Sequence, residues 1–219
     1  VGVDLFFVLS GFLITRKLAS DLASHERIDL AEFARRRVRR LVPALLAVVA
    51  VAVAIRALWP SIAARSLTGE ELTTGVAVRS GLGALLYVSN YQQAWGRPFV
   101  PELSHTWSLS IEGQYYLLWP FVLLALHRLR ASRPVQVGVL VALMVAVWVH
   151  RANLWTDQAN YLPLYVRTDT RVDVLIAGSL LGLLTLWGVL RVGHARWLRA
   201  PALAGVAVLA VVSCFSETG

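Results

Sequence analysis

The stretch SHTWSLSIEGQYYLLWP, residues 104–120, begins with polar side chains and runs into an apolar segment of membrane type, taking a carboxylate with it. Sinking an ionisable side chain into hydrocarbon costs about 3 kcal/mol even on the lower scales. Glu112 is therefore a functional-site candidate from its position alone. At helical spacing, His105, Leu109, Glu112, Tyr116 and Trp119 share one stripe. That stripe offers an acid, an imidazole and two aromatic hydrogen-bonding groups to a common pocket. His105 and Glu112 are expected about 10 Å apart along the axis at ~1.5 Å per residue. They can flank a substrate but not touch each other.

The rest of the chain fits a membrane setting. It is 57% hydrophobic, with a mean hydropathy of +0.62. Charged residues make up 16%, against about 25% in globular proteins. Several apolar runs approach the ~20 residues that cross a bilayer. The expected class is an all-α integral membrane protein, a polytopic helical bundle in contact with lipid. A net charge of +8 does not point to nucleic acid, because the excess lies in clusters beside apolar runs, as the positive-inside rule requires. Cys214 stands alone, so it forms no internal disulfide, offers no metal-ligand cluster, and reads as a packed thiol.

Along the chain, residues 1–18 form a first apolar segment ending in Arg16 and Lys17, followed by a charged stretch over 21–40 containing FARRRVRR. Residues 41–59 make a clear span, with Pro43 expected in its first turn and Arg56 expected to snorkel to the far interface. A polar loop over 61–74 precedes a weaker apolar segment, 76–91, interrupted by Arg79 and glycines. Further spans are expected at 106–126, 135–149, 172–190 and 198–215. The stretch 151–171 between two of them is polar and aromatic. Val1 is not a methionine and lies already within an apolar segment, and the chain stops just after another. This is expected of a fragment lacking at least one helix at each end.

Basic clusters at 35–40, 128–133 and 191–199 should share the cytoplasmic face. That agreement allows one net crossing between Trp59 and His127. Since 106–126 crosses, 76–91 is read as re-entrant or interfacial, which buried backbone permits. The alternative is a full span there, with the 128–133 cluster outside.

Four segments, in order, carry a resemblance: GVDLFFVLSGFLIT (2–15), FARRRVRRLVPALL (33–46), SHTWSLSIEGQYYLLWP, and TDTRVDVLIAGSLLG (168–182). Together they resemble the membrane-bound acyltransferase-3 family, which modifies bacterial surface sugars and related acceptors. The resemblance implies a core of about ten transmembrane helices in the bacterial inner membrane, of which residues 1–219 are part. It implies acetyl-CoA or another acyl-CoA as a co-substrate from the cytoplasmic side, with no bound cofactor, and a hydroxyl on a carbohydrate or glycosylated acceptor. The family's Arg-x-Arg element is similar to Arg37-Val38-Arg39, and its threonine–arginine element to Thr170-Arg171. Its essential arginine and histidine, the latter the expected base, belong to a helix that would precede Val1. Gly113 stands where many relatives carry a second glutamate after the one matched by Glu112.

Moving an acyl group from a thioester to a hydroxyl needs a base, donors for the oxyanion, and cations for the CoA phosphates. Arg35, Arg36, Arg37, Arg39 and Arg40 suit the phosphates, since guanidinium groups grip them in bidentate fashion. The competing reading is a topogenic cluster on anionic lipid. Glu112 and His105 are the candidate catalytic pair, with Asp4, Trp107, Tyr116, Arg171 and Asp173 as acceptor pocket and Arg171 as partner of Glu112 or Asp4. Trp107, Tyr115, Tyr116 and Trp119 suit either a sugar platform or an interfacial aromatic belt. Ser10 and Gly11 are expected to let helices approach closely. Arg167, Asp169, Arg171 and Asp173 are expected to pair locally. The rival function is a transporter or flippase of a lipid-linked or acylated saccharide, which has no use for a phosphate clamp.

Overall fold

A computed structural model describes residues 2–59, 72–156 and 161–190. The loop at 61–71, the last expected span, the 191–199 cluster and Cys214 lie outside the described residues. Among the described residues there are eight α-helices: α1 (Gly2–His25), α2 (Leu30–Leu58), α3 (Thr74–Leu85), α4 (Ser89–Ala94), α5 (Thr106–Arg128), α6 (Arg133–Leu154), α7 (Tyr161–Val166) and α8 (Thr168–Leu186). A 3-10 turn, Pro101–Leu103, precedes α5. No strand appears among the described residues, and α2, α5 and α6 are long and apolar enough to cross a membrane.

The charged stretch 21–40 is helical over most of its length. α1 continues past the expected end at residue 18, with Lys17 and Asp21 paired one turn apart at 2.7 Å. It ends where Glu26 takes a positive φ of 56°. α2 then starts before the arginine run. The Asp29 carboxylate accepts from the Glu32 N–H at 2.8 Å, capping the helix. Glu32 pairs in turn with Arg35 and Arg36. Pro43 is therefore interior to α2, thirteen residues after Leu30, and not in a first turn. It removes the amide that would bond to Arg39, an omission membrane helices tolerate. Arg56 does not snorkel. It is 4% exposed and its Nη2 donates to Glu102 at 2.6 Å, a carboxylate near the start of α5.

Helix directions follow from these side-chain pairs. Ser10 meets Glu112 and Thr15 accepts from Trp119, so α1 and α5 run parallel. Asp4 meets Arg171 and Gly11 meets Ser179, so α8 runs with them. Arg37 covers Tyr116 while Arg56 reaches Glu102, so α2 runs the other way. Arg133 lies over Trp187 while His150 meets Asp169, which sets α6 antiparallel to α8. Arg16, Lys17, the 35–40 run and Arg128 to Arg133 consequently gather at one end of the bundle. Asp4, Glu102, His105, Asp169 and Arg171 gather at the other.

α3 holds 12 residues, about 18 Å at 1.5 Å per residue, against ~30 Å of hydrocarbon. It stops at Leu85, and the chain turns into the six-residue α4. The segment 76–91 is thus two short helices folded against α2 and α5, neither of them long enough to span.

α1 and α8 pack backbone to backbone. A Cβ on Gly11 would stand 2.0 Å from the Leu175 carbonyl oxygen, and one on Gly178 would stand 2.1 Å from that of Val8. Gly178 and Gly182 form a small-xxx-small pair of the kind that lets membrane helices touch. Gly11 has the expected role, and Ser179 secures the contact by donating to the Gly11 carbonyl at 3.2 Å. Phe7, Ile14, Ile111 and Leu175 fill the core around this seam.

Candidate functional site

Glu112 sits about two turns into α5 and is 4% exposed. Two hydroxyls donate to its Oε1, one from Ser10 of α1 and one from Tyr116 a turn further along α5. Over the Tyr116 ring lies the Arg37 guanidinium, 4.1 Å from the centroid, and Phe33 meets the ring edge-on at 6.4 Å. Arginine, phenol, carboxylate and serine thus form one continuous chain across α2, α5 and α1. A cavity of about 550 Å³ opens beside it, with Lys17, Arg36, Arg37, Arg40, Glu112 and Tyr116 among its lining. On the far side of Phe33, Arg37 and Tyr116, an apolar cavity of about 610 Å³ runs between α2, α4 and α5.

The arginine run divides by helical phase. Arg36, Arg37 and Arg40 line the cavity and Arg35 and Arg39 do not; Arg37 is half-buried, and the other four are exposed, with Arg35 and Arg36 both paired to Glu32. Residues two apart on an α-helix point about 200° apart. Arg37 and Arg39, matched together to the Arg-x-Arg element, therefore take different surroundings.

The other end of the bundle holds a second group. The Arg171 guanidinium pairs with Asp4 and lies 4.5 Å from the Tyr165 ring centroid. Trp107 packs edge-on between Phe7 and Tyr165, at 6.1 and 5.1 Å. Asp173 is 6% exposed and accepts from the Trp148 indole at 2.7 Å and from Arg151 at 3.5 Å. Burial pushes the Tyr165 phenol above its ordinary value; Arg171 draws it back and Asp4 raises it. A cavity of about 520 Å³ lies here, lined by Trp148, Arg151, Trp155, Tyr161, Tyr165 and Arg171.

The expected residues are therefore sorted into two places. Glu112 and Tyr116 join Arg36, Arg37 and Arg40; Asp4, Trp107, Arg171 and Asp173 join the aromatic end. Arg171 is the partner of Asp4, and the Glu112 carboxylate is held by hydroxyls. His105 precedes the first turn of α5 and is exposed, while Glu112, Tyr116 and Trp119 of the same stripe are buried. Tyr115 and Trp119 are packing residues: their rings stack at 5.0 Å, Tyr115 bonds Ser179 and Trp119 donates to Thr15. Arg167 and Asp169 pair locally at 2.5 Å, but Arg171 and Asp173 bond to other helices.

Several site residues escaped the sequence reading. Ser10 is a hydrogen-bond donor to Glu112 as well as a small packing residue. Asn90, Gln114 and Thr168 close a ring of bonds at 3.1, 2.6 and 3.0 Å that ties α4, α5 and α8 together. The aromatics of the second cavity did leave a signal: Trp155, Tyr161 and Tyr165 lie in the polar and aromatic stretch 151–171, and Trp148 lies at the end of the span before it.

A family model described as an acyltransferase domain matches residues 1–218. O-acetyltransferase OatA of Staphylococcus aureus is 33% identical over 188 residues, covering 83% of this chain and 29% of the relative. Peptidoglycan O-acetyltransferase OatA of Listeria monocytogenes is 29% identical over 217 residues, covering 98% and 34%. A putative peptidoglycan O-acetyltransferase, YrhL of Bacillus subtilis, is 30% identical over 196 residues, covering 90% and 30%. The chain thus spans about a third of the length of these curated relatives. No solved structure matches it.

Proposed function

The chain belongs to the acyltransferase-3 family, and from that premise we propose that it carries the membrane core of an O-acyltransferase, moving an acetyl group from acetyl-CoA to a hydroxyl of a cell-envelope polysaccharide. The observation that carries this reading is the continuous chain Arg37–Tyr116–Glu112–Ser10 beside a cavity that Arg36 and Arg40 also line. Guanidinium groups in that number suit the phosphates of a CoA donor. Such a clamp is foreign to the rival transporter.

The charge rule assigns the basic end of the bundle to the cytoplasm, where acyl-CoA is available. The donor's phosphates then rest on Arg36, Arg37 and Arg40, and its thioester extends inward towards Tyr116 and Glu112. The acceptor enters from the opposite end, where Asp4, Trp107, Arg171 and Asp173 stand and His105 is an exposed hydrogen bonder. From Asp4 to Ser10 is six residues of α1, about 9 Å of rise. Donor-side and acceptor-side groups therefore occupy successive levels along the same helices. In the reaction the acceptor oxygen bonds to the acyl carbon as its proton passes to a general base, the carbon–sulfur bond breaks, and the departing thiolate takes up a proton to leave as CoA thiol. Glu112 accepts from the Tyr116 and Ser10 hydroxyls, and these two bonds hold its carboxylate at a fixed place beside the donor cavity. The relatives named as peptidoglycan O-acetyltransferases make a peptidoglycan glycan the first acceptor to supply.

The test is acetyl-CoA consumption by the purified full-length protein in liposomes, with soluble peptidoglycan glycan as acceptor. Acetyl ester should appear on the glycan as CoA thiol is released, and both should slow about tenfold or more in Arg37→Ala at limiting acetyl-CoA. Folded protein that neither binds nor consumes acyl-CoA, yet moves a labelled saccharide across the bilayer, would establish the transporter instead.

A further inference from the structure

We propose that the aromatic cleft between α6, α7 and α8 is a saccharide-binding subsite, with Trp155 and Tyr161 stacking on sugar rings and Arg151 and Arg171 donating to their oxygens. This deepens the acyl-transfer reading, on which it rests for the choice of ligand.

Four rings, Trp148, Trp155, Tyr161 and Tyr165, and two guanidinium groups, Arg151 and Arg171, line one concavity of about 520 Å³. That volume lies within the range of ligand clefts. Trp148, Trp155 and Tyr161 are 49%, 45% and 50% exposed, so their faces are available rather than packed away. The rings are nonetheless held. Trp155 meets Tyr161 edge-on at 6.3 Å, and Tyr161 leans on Tyr165 at 5.5 Å with 30° between planes. The Trp148 indole is fixed by its bond to the buried Asp173. Arg151 is fixed through its Nη1 to the Thr170 carbonyl at 2.9 Å, and Arg171 is fixed by Asp4 and Tyr165.

This chemistry suits a carbohydrate. The axial C–H groups of a pyranose carry small positive charge and meet the negative face of an aromatic ring, while its hydroxyl and acetamido oxygens accept from guanidinium N–H groups. An interfacial belt accounts for aromatic rings at headgroup level but calls for no convergence among them. Here they converge, with two arginines, on one hollow. Its position fits too. The cleft is built from the end of α6 and the start of α8, at the end of the bundle away from the arginine run. It adjoins the Asp4–Arg171 pair, on the side from which the acceptor is proposed to enter.

The experiment is titration of the full-length protein in nanodiscs with uncrosslinked glycan strands of β-linked N-acetylhexosamines, followed by calorimetry and indole fluorescence. Wild type should bind saturably, and the double variant Trp155→Ala with Tyr161→Ala should bind about tenfold more weakly or worse, since truncated aromatic anchors commonly lose that much. Acetyl-CoA affinity should be unchanged in the same variant, because neither ring reaches the donor cavity; that control separates a lost subsite from a lost fold. Equal glycan affinity in wild type and the double variant overturns the proposal, as does wild type that binds acetyl-CoA but no glycan. Glycan binding that depends on these rings in a protein that never consumes acetyl-CoA keeps the subsite and overturns the acyl-transfer reading. Acetyl transfer with an unaltered glycan KM in the double variant does the reverse.

Discussion

The guanidinium of Arg37 lies 4.1 Å from the ring centroid of Tyr116, whose hydroxyl donates to the buried carboxylate of Glu112. A cation that approaches from α2 is thereby coupled through one aromatic ring to an acid buried in α5. The Tyr116 ring makes the cation–π contact and its hydroxyl makes the bond to Glu112, so the two can be removed separately.

Tyr116→Phe keeps the ring under Arg37 and deletes the bond to Glu112. A hydrogen bond to a charged group stabilises by about 1.5–3 kcal/mol. Acetyl-transfer kcat should fall about ten- to a hundredfold, with the KM for acetyl-CoA nearly unchanged. Glu112→Gln should lose at least as much, because an amide accepts more weakly from both Ser10 and Tyr116. Steady-state kinetics alongside detergent thermal melts check both variants. Wild-type turnover in Glu112→Gln would leave Glu112 a structural residue.

Arg37 and Arg39 should separate kinetically even though they sit two residues apart. Arg37→Ala removes a cavity guanidinium and the cover of Tyr116, so the KM for acetyl-CoA should rise about tenfold or more and kcat should drop as well. Arg39 is exposed and lines no part of that cavity. Arg39→Ala should change the donor KM by less than about threefold, as a solvated charge contributes little. Initial rates at varied acetyl-CoA decide the matter, and equal losses would mean that both arginines hold the donor.

The helical membrane class was legible because hydropathy and charge are local properties of the chain. The arginine run and Glu112 were legible for the same reason. What could not be read was phase and partnership. With α2 expected to start at residue 41, nothing distinguished Arg37 from Arg39; once Asp29 caps the helix, the whole run acquires a phase and splits into two faces. Ser10 meets Glu112 across 102 residues of sequence and Arg171 meets Asp4 across 167. Such pairs depend on how helices run and cross, which no single segment encodes. Arg56 followed an interfacial rule of thumb until Glu102, on a separate turn, supplied a partner.

Gly178→Ala should loosen the bundle. A methyl there would stand 2.1 Å from the Val8 carbonyl oxygen, so α1 and α8 must separate along their shared seam. Overpacking of this kind costs about 1–3 kcal/mol. Gly138 in α6 provides the control, since a Cβ there meets nothing within 4 Å. Gly138→Ala should be neutral or stabilising by up to about 1 kcal/mol. Thermal unfolding of the two variants in the same detergent should move in opposite directions or differ by several degrees. Equal melting temperatures would contradict the close α1–α8 contact.

Gly113, where the family resemblance leads one to expect a second glutamate, has no room for a side chain beside Tyr87. A Cβ at residue 113 would lie 2.3 Å from the Tyr87 Cδ1 and 2.7 Å from its Cε1, inside the ring's van der Waals surface. The ring belongs to the turn between α3 and α4. That turn is anchored from α5 by Gln114, whose side-chain amide donates to the Tyr87 carbonyl at 2.6 Å. Retreat of the ring therefore strains a fixed turn. Gly113→Ala should destabilise by about 1–3 kcal/mol, and Gly113→Glu by more, since it adds a carboxylate against the same face. Tyr87→Ala removes the obstructing atoms, so the cost of Gly113→Ala should shrink to a fraction in the Tyr87→Ala background. A double-mutant cycle measured by thermal unfolding reads that coupling directly. Additive losses would show that the ring is free to turn away and that Gly113 is required for some other reason.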